Sequence, residues 1–419
     1  MAVVDGFRAV RFTDRAGEIA DLVSPPYDIL NQESYQNYLN KSPYNSVRLE
    51  SPRGKGGYQT AAKLLNEWLK GGILKQDETE AIYCYEQSYF HHGKRRTLKG
   101  MFLALGLTSF DEGVVIPHEK TLDAPKRERF ALMKETGWNG SPVFGLFDDP
   151  FGEIERLVFS QAEKTMLACF VDDDHVQQTL WRIQNREIMN AVVNFFREKR
   201  ILLADGHHRY ETALAYQKSL GKISPNHPAN AILAYLAPLQ SQGLLVFPTH
   251  RVLHGLSSDL ALIHLRERNA AFQMQEFPII EQGFAALRQA QREQKNAFLI
   301  VIKNTQYLAV LRDKEVCKQQ DGHSKVYAHL DVTVLQHWFL DPLFEKICDC
   351  NKEEHIAFTR KEQEAVEMVR NGLADAAVIL SPTRVEEIQA VAQTGEQMPQ
   401  KSTYFYPKQA TGLVFRLLC

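Results

Sequence analysis

The stretch Ile201-Leu202-Leu203-Ala204-Asp205-Gly206-His207-His208-Arg209-Tyr210-Glu211-Thr212-Ala213-Leu214 constrains the fold of this chain more than any other. An apolar, strand-like run stops at Asp205-Gly206, and Tyr210, Ala213 and Leu214 follow at helical spacing. Strand, tight turn and helix start together aim backbone N–H groups and the positive end of a helix dipole above the turn. His207, His208 and Arg209 add side-chain donors there, so the segment suits an anion, with phosphate the first choice. The structural alternative is an ordinary turn with Asp205 as helix cap, worth about 1 kcal/mol, and solvated histidines. An acid, a glycine, two imidazoles and a guanidinium in succession exceed what a turn requires.

Patterns elsewhere predict both element types. Apolar stripes predict helices over 59–69, 186–199, 260–268, 283–294, 330–344 and 362–371. Phe130 to Glu135 adds one or two helical turns. Alternation predicts a hairpin from strands 81–90 and 97–110 around His91-His92-Gly93-Lys94, which leaves Lys94-Arg95-Arg96 at a solvated tip. Further strands are expected at 143–147, 297–302, 307–311 and 376–380. The mixture implies an α/β (mixed α+β) architecture. A length of 419 residues admits several domains. The expected division is an N-terminal α/β region (1–170), a core with the Asp-Gly-His-His-Arg box (171–255), a supporting α+β lobe (256–329) and a C-terminal region (330–419) closing the site.

Composition removes several function classes. A formal net charge of −2 provides no basic field for nucleic acid. No apolar run reaches the length of a membrane span, and the N-terminus lacks the plan of a signal peptide. The six cysteines are scattered without a Cys-x-x-Cys, which suits reduced thiols. A cytoplasmic protein is expected, with its oligomeric state open.

Phosphoryl transfer needs a phosphate cradle, charge neutralisation and a group to align or deprotonate the acceptor. Gly206, His207, His208 and Arg209 supply the cradle, and either histidine can move a proton near neutral pH. Asp205 can bind Mg2+ or orient a hydroxyl, and Glu211, one turn beyond His207, can pair with that histidine across the helix face as support. A second constellation is His118-Glu119-Lys120-Thr121. Glu119, flanked by His and Lys, is the preferred general base, against the alternative of a solvated loop with an internal ion pair. The choice between Glu119 and Asp205 stays open. Leu122 stands where a His-Glu-x-x-His zinc motif needs its second histidine. His118, Lys120, Thr121, Lys126 and Arg127 can contact an anionic substrate group, as can Lys401, Ser402 and Thr403. That last triplet matches only the tail of a phosphate loop; the glycine-rich scaffold is missing. His250-Arg251 is a lesser candidate.

Several separated segments resemble domain-of-unknown-function family 1015 over nearly the full length. They are Ser24-Pro25-Pro26-Tyr27-Asp28, Pro117-His118-Glu119-Lys120-Thr121, Ala204 to Leu214, Pro248-Thr249-His250-Arg251, and Met398 to Thr403 with Phe405-Tyr406-Pro407-Lys408. The box Ala204 to Ala213 also resembles the Gly-x-x-Arg box of the ParB/sulfiredoxin superfamily. That resemblance implies a ParB/sulfiredoxin-like nucleotide-binding core with N- and C-terminal elaborations, the box holding nucleotide phosphates at a helix N-terminus. Superfamily members include DNA-partition clamps, the enzyme repairing sulfinylated peroxiredoxin, and kinases for free serine. His207-His208 leaves no cysteine in the box, against sulfinic-acid repair, and no helix-turn-helix is evident. The implied function is a small-molecule kinase that phosphorylates free L-serine with Mg2+ and ATP or ADP, or the reverse reaction on phosphoserine. The alternative is a nucleotide-responsive binding protein without turnover.

Overall fold

In a computed structural model, every residue is described except 122, 161–163, 257–266, 268–269, 304, 314–321, 346–354 and 419. The fold is mixed α/β and forms two compact units. The first comprises Met1–Pro117, Thr121–Leu245 and Pro407–Cys419; the second comprises His118–Lys120 and Val246–Tyr406.

The first unit is built on a nine-stranded sheet. Its strands are β1 (Val4–Asp5), β2 (Ile82–His91), β3 (Lys94–Gly106), β4 (Val115–Pro117), β5 (Val143–Phe147), β6 (Thr165–Val171), β7 (Gln177–Ile183), β8 (Ile201–Asp205) and β9 (Ala231–Pro238). The order is β4-β8-β5-β9-β3-β2-β7-β6, with β1 also on β3. The expected hairpin is present as β2-β3, paired from Tyr83↔Phe102 to His91↔Lys94. His92 and Gly93 have φ of 48° and 71°, the positive pair that a two-residue hairpin turn needs. The core gathers Phe147, Phe196, Leu203, Tyr210 and Leu236, all close to fully buried.

The helices of this unit include α1 (Gly57–Lys70), α2 (Asp123–Thr136), α3 (Arg186–Phe196) and α4 (His207–Ser219). Residues 123–129, dense in charge and given no element from the sequence, are helical throughout. Pro125 sits in the first turn, where no intrahelical N–H bond is lost. This puts Lys126 and Arg129 one turn apart, on a helix that packs against α4.

Gly243 shows how tightly this unit is packed. A Cβ at that position would lie 2.0 Å from the Thr97 carbonyl oxygen and 2.3 Å from the Leu98 nitrogen, both backbone atoms of β3. Gly243→Ala is therefore expected to cost about 3 kcal/mol through displaced backbone. Urea unfolding checks it: the midpoint should fall with an unchanged slope, and an unmoved midpoint contradicts the packing.

The second unit has a six-stranded antiparallel sheet. Its strands are β10 (His250–Leu253), β11 (Phe272–Phe277), β12 (Ala297–Ile302), β13 (Thr305–Leu311), β14 (Ile356–Thr359) and β15 (Ala376–Leu380), in the order β11-β13-β12-β15-β10-β14. Helices α5 (Ile280–Arg292), α6 (Glu362–Arg370) and α7 (Val385–Gln393) belong to it. Phe284, Leu299, Val301, Val366 and Ile379 form its core. The expected helix over 330–344 runs as Asp331–Leu335, a wider turn at Gln336–Leu340, and Asp341–Phe344. The one expected over 260–268 lies, except for residue 267, outside the described residues.

Candidate functional site

The box begins at the carboxyl end of β8, between β4 and β5. The β8–β5 register shifts between Leu203 and Asp205, an irregularity of the kind that re-aims a side chain. Gly206 then takes φ +86° as the N-cap of α4, with no side chain capping the helix. That conformation requires glycine, and a Cβ would also meet the Arg209 Nε at 3.0 Å. The start of α4 carries the positive end of its dipole.

Asp205 does not cap α4. Its Oδ2 accepts a 2.6 Å bond from Lys408 Nζ, its Oδ1 accepts the Gly206 N–H at 2.7 Å, and Arg209 Nη2 stands 3.6 Å away. Burial alone would raise the Asp205 pKa; the charges of Lys408 and Arg209 reverse this and hold it well below the usual carboxylate range. Arg209 is buried and donates through Nη1 to the Pro142 carbonyl. It is thus fixed at both ends, a pre-organised guanidinium at a helix N-terminus. His207 is buried and His208 half-buried in the same first turn. Glu211 turns to α2: its Oε2 accepts from Thr121 Oγ1 at 2.9 Å and lies 2.9 Å from Lys126 Nζ. Arg127 is exposed on α2.

Residues with no role in the sequence reading surround Arg209. Arg129 donates to the Glu50 carbonyl at 2.7 Å, and its guanidinium lies 3.8 Å from the centroid of the Tyr27 ring. The buried Glu50 carboxylate accepts from Ser141 Oγ at 2.6 Å, one residue before the Pro142 that holds Arg209. A cavity of about 30 Å³ is lined by Glu50, Arg129, Ser141 and Arg209, among others. Tyr27 and Lys408 sit in family segments read without a specific role; nothing in the spacing marks Glu50 or Arg129.

The second unit holds another polar group. Met398 N donates to the His118 carbonyl at 2.8 Å, and Glu119 Oε1 accepts the Lys401 N–H at 2.7 Å. His118 is buried, its Nε2 2.9 Å from Thr403 Oγ1. Ser402 is buried and donates to the Pro399 carbonyl, whereas Lys120 and Lys401 are exposed. Arg251 is buried; burial pushes its pKa down to about 10, partly offset by the Glu119 charge.

His250, beside it, accepts the Leu380 N–H at 3.2 Å through Nδ1. Burial, helped by Arg251, pushes its pKa down to about 4. The unfolded chain therefore takes up this proton first as pH falls, so stability is full above about 6.5 and drains away down to about 4. A loss of about 3 kcal/mol is expected across that window. Asp205, whose pKa is also depressed, acts in the same sense at lower pH: its contribution, present above about pH 4, is lost only below it. Denaturant titrations at pH 7, 5.5 and 4 check this. The wild-type minus His250→Gln difference should fall with pH, and a constant difference contradicts a neutral buried His250.

Each oxygen of Asp205 already accepts one N–H bond, and no group of three His, Cys, Asp or Glu side chains able to hold an ion occurs among the described residues. No helix among the described residues is long and apolar enough to cross a membrane.

The chain belongs to the family described as "Protein of unknown function (DUF1015)", whose profile matches residues 4–333. No curated protein matches the sequence. Among solved structures, a free serine kinase variant in complex with ADP is similar at 14% identity and a TM-score of 0.38, covering 75% of this chain and 92% of that one. A conserved hypothetical protein from Pyrococcus furiosus is similar at 14% identity and 0.36, over 75% and 95%. C-terminally truncated SbnI from Staphylococcus aureus follows at 13% and 0.37, over 75% and 87%. Likeness of this degree carries no weight for activity.

Proposed function

We propose that this protein is a nucleotide-dependent small-molecule kinase whose acceptor is free L-serine. The observation that carries the reading is Arg209, buried at the uncapped start of α4 and held between Asp205 and the Pro142 carbonyl. A guanidinium fixed this way beside backbone N–H groups binds phosphate with little reorganisation. Serine as acceptor is supported by the resemblance of the box from Ala204 to Ala213 to that of free serine kinases.

In this reading Gly206, His207, His208 and Arg209 hold the nucleotide phosphates, and Asp205 with Lys408 keeps Arg209 in place. Glu119 takes the proton of the serine hydroxyl. The hydroxyl oxygen forms the new bond to the terminal phosphorus, the bond to the bridging oxygen breaks, and ADP or AMP leaves from ATP or ADP. The same groups run the reverse reaction on phosphoserine. Lys120 and Lys401 suit the acceptor carboxylate, with His118, Thr121, Arg127, Ser402 and Thr403 as further substrate-binding assignments. Asp205 is the residue assigned to Mg2+, which would neutralise phosphate charge when bound. The protein acts in the cytoplasm on small molecules rather than on nucleic acid.

Calorimetric titration with ADP and with ATP, each with Mg2+, tests the cradle. Saturable binding is expected, and absence of binding to either nucleotide contradicts the assignment.

A further inference from the structure

The turn Ser24-Pro25-Pro26-Tyr27-Asp28 has no part in the phosphate cradle, yet it brings Tyr27 to the cluster around Arg209. Tyr27 opens a short helical turn, Tyr27–Ile29, directly after Pro26. Its ring packs on the Arg129 guanidinium at 3.8 Å, a cation–π contact that fixes both planes. Arg129 in turn is tied by Nη1 to the Glu50 carbonyl, with the Glu50 carboxylate 3.7 Å away. Arg129 and Arg209 line the same cavity.

This arrangement leaves donors unused. Among the described residues neither the Tyr27 hydroxyl nor Arg129 Nη2 has a hydrogen-bond partner, and neither is fully buried. Arg129 Nε is buried and also without a partner. Buried donors are normally satisfied, and Arg129 Nε is an exception beside this cavity. Two guanidiniums repel a cation and attract an anion.

We propose that Tyr27 and Arg129 bind a substrate oxyanion beside Arg209, through the Tyr27 hydroxyl and Arg129 Nη2. The inference rests on the kinase reading and extends its site to two residues from other segments of the first unit. Burial pushes the Tyr27 pKa up to about 12, against the pull of Arg209 and Arg129, so its hydroxyl keeps its proton and donates. The oxyanion can be a phosphate of the nucleotide or the carboxylate of the acceptor.

The test titrates ADP, inorganic phosphate and L-serine separately into wild type, Tyr27→Phe, Arg129→Lys and Arg209→Ala. Tyr27→Phe keeps the ring under Arg129, and Arg129→Lys keeps the charge without the fork, so both should fold. Each is expected to weaken at least one ligand roughly tenfold, with a melting temperature close to wild type. Weaker ADP and phosphate binding assigns the oxyanion to the nucleotide; weaker L-serine binding alone assigns it to the acceptor. Wild-type affinity for all three ligands in both variants, with ADP still weakened by Arg209→Ala, overturns this inference and leaves the kinase reading standing. Wild type binding none of the three overturns both.

Discussion

Arg209→Ala is expected to weaken ADP binding by about thirtyfold or more and to slow phosphoserine formation by about a thousandfold. Two effects combine. Arg209 is the buried guanidinium at the start of α4, so in the proposed kinase its loss removes charge-assisted bonds to phosphate. Those bonds strengthen as charge shifts on the transferring phosphoryl group, so the rate falls further than the affinity. Arg209→Lys should recover little, because an ammonium cannot present a planar fork while also meeting Pro142 O and Asp205. Asp205 keeps its 2.6 Å bond to Lys408 in either variant, so the fold should survive. Calorimetry and a single-turnover assay read the two quantities separately. Unchanged affinity in Arg209→Ala contradicts the placement of the phosphate.

Glu119→Gln is expected to have the complementary signature. Phosphoserine formation should drop by about a thousandfold, in the range that removal of a general base produces, while ADP binding stays within about twofold. The substitution is close to isosteric, and the amide oxygen can still accept the Lys401 N–H that Glu119 Oε1 accepts at 2.7 Å. Structure around His118 and Thr403 is therefore retained, and the lost quantity is the proton acceptor. A Glu119→Gln enzyme with wild-type turnover passes the role to another group, and Asp205 is poorly suited, since Lys408 and Arg209 hold it as a low-pKa carboxylate.

What was legible in the sequence follows from how local each feature is. The β2-β3 hairpin was readable because His92-Gly93 and the flanking alternation specify turn and register together. The β8–α4 box was readable because strand end, glycine and helix stripe are contiguous. Helix α2 was only partly legible: its buried residues are just Leu132 and Met133, so seven charged-rich positions preceded any stripe. Strand β6 was missed because it is largely exposed at a sheet edge and shows no clean alternation of burial. The site itself was half visible. Lys408 lies 203 positions from Asp205, and Glu50 lies 91 from Ser141, so neither pair leaves a spacing signal. Such pairs are set by tertiary packing, and single-sequence periodicity does not encode them.

The most direct measurement of the central claim incubates the protein with Mg2+ and L-serine, with ADP and ATP in parallel, and quantifies phosphoserine by mass spectrometry. Arg209→Ala, purified identically, controls for contaminating kinases. Phosphoserine in the wild-type reaction that is absent with Arg209→Ala is the predicted result, and the productive nucleotide identifies the donor. Nucleotide bound tightly with no phosphoserine from either donor, and none consumed in the reverse direction, contradicts the serine kinase and leaves a nucleotide-binding protein without this turnover.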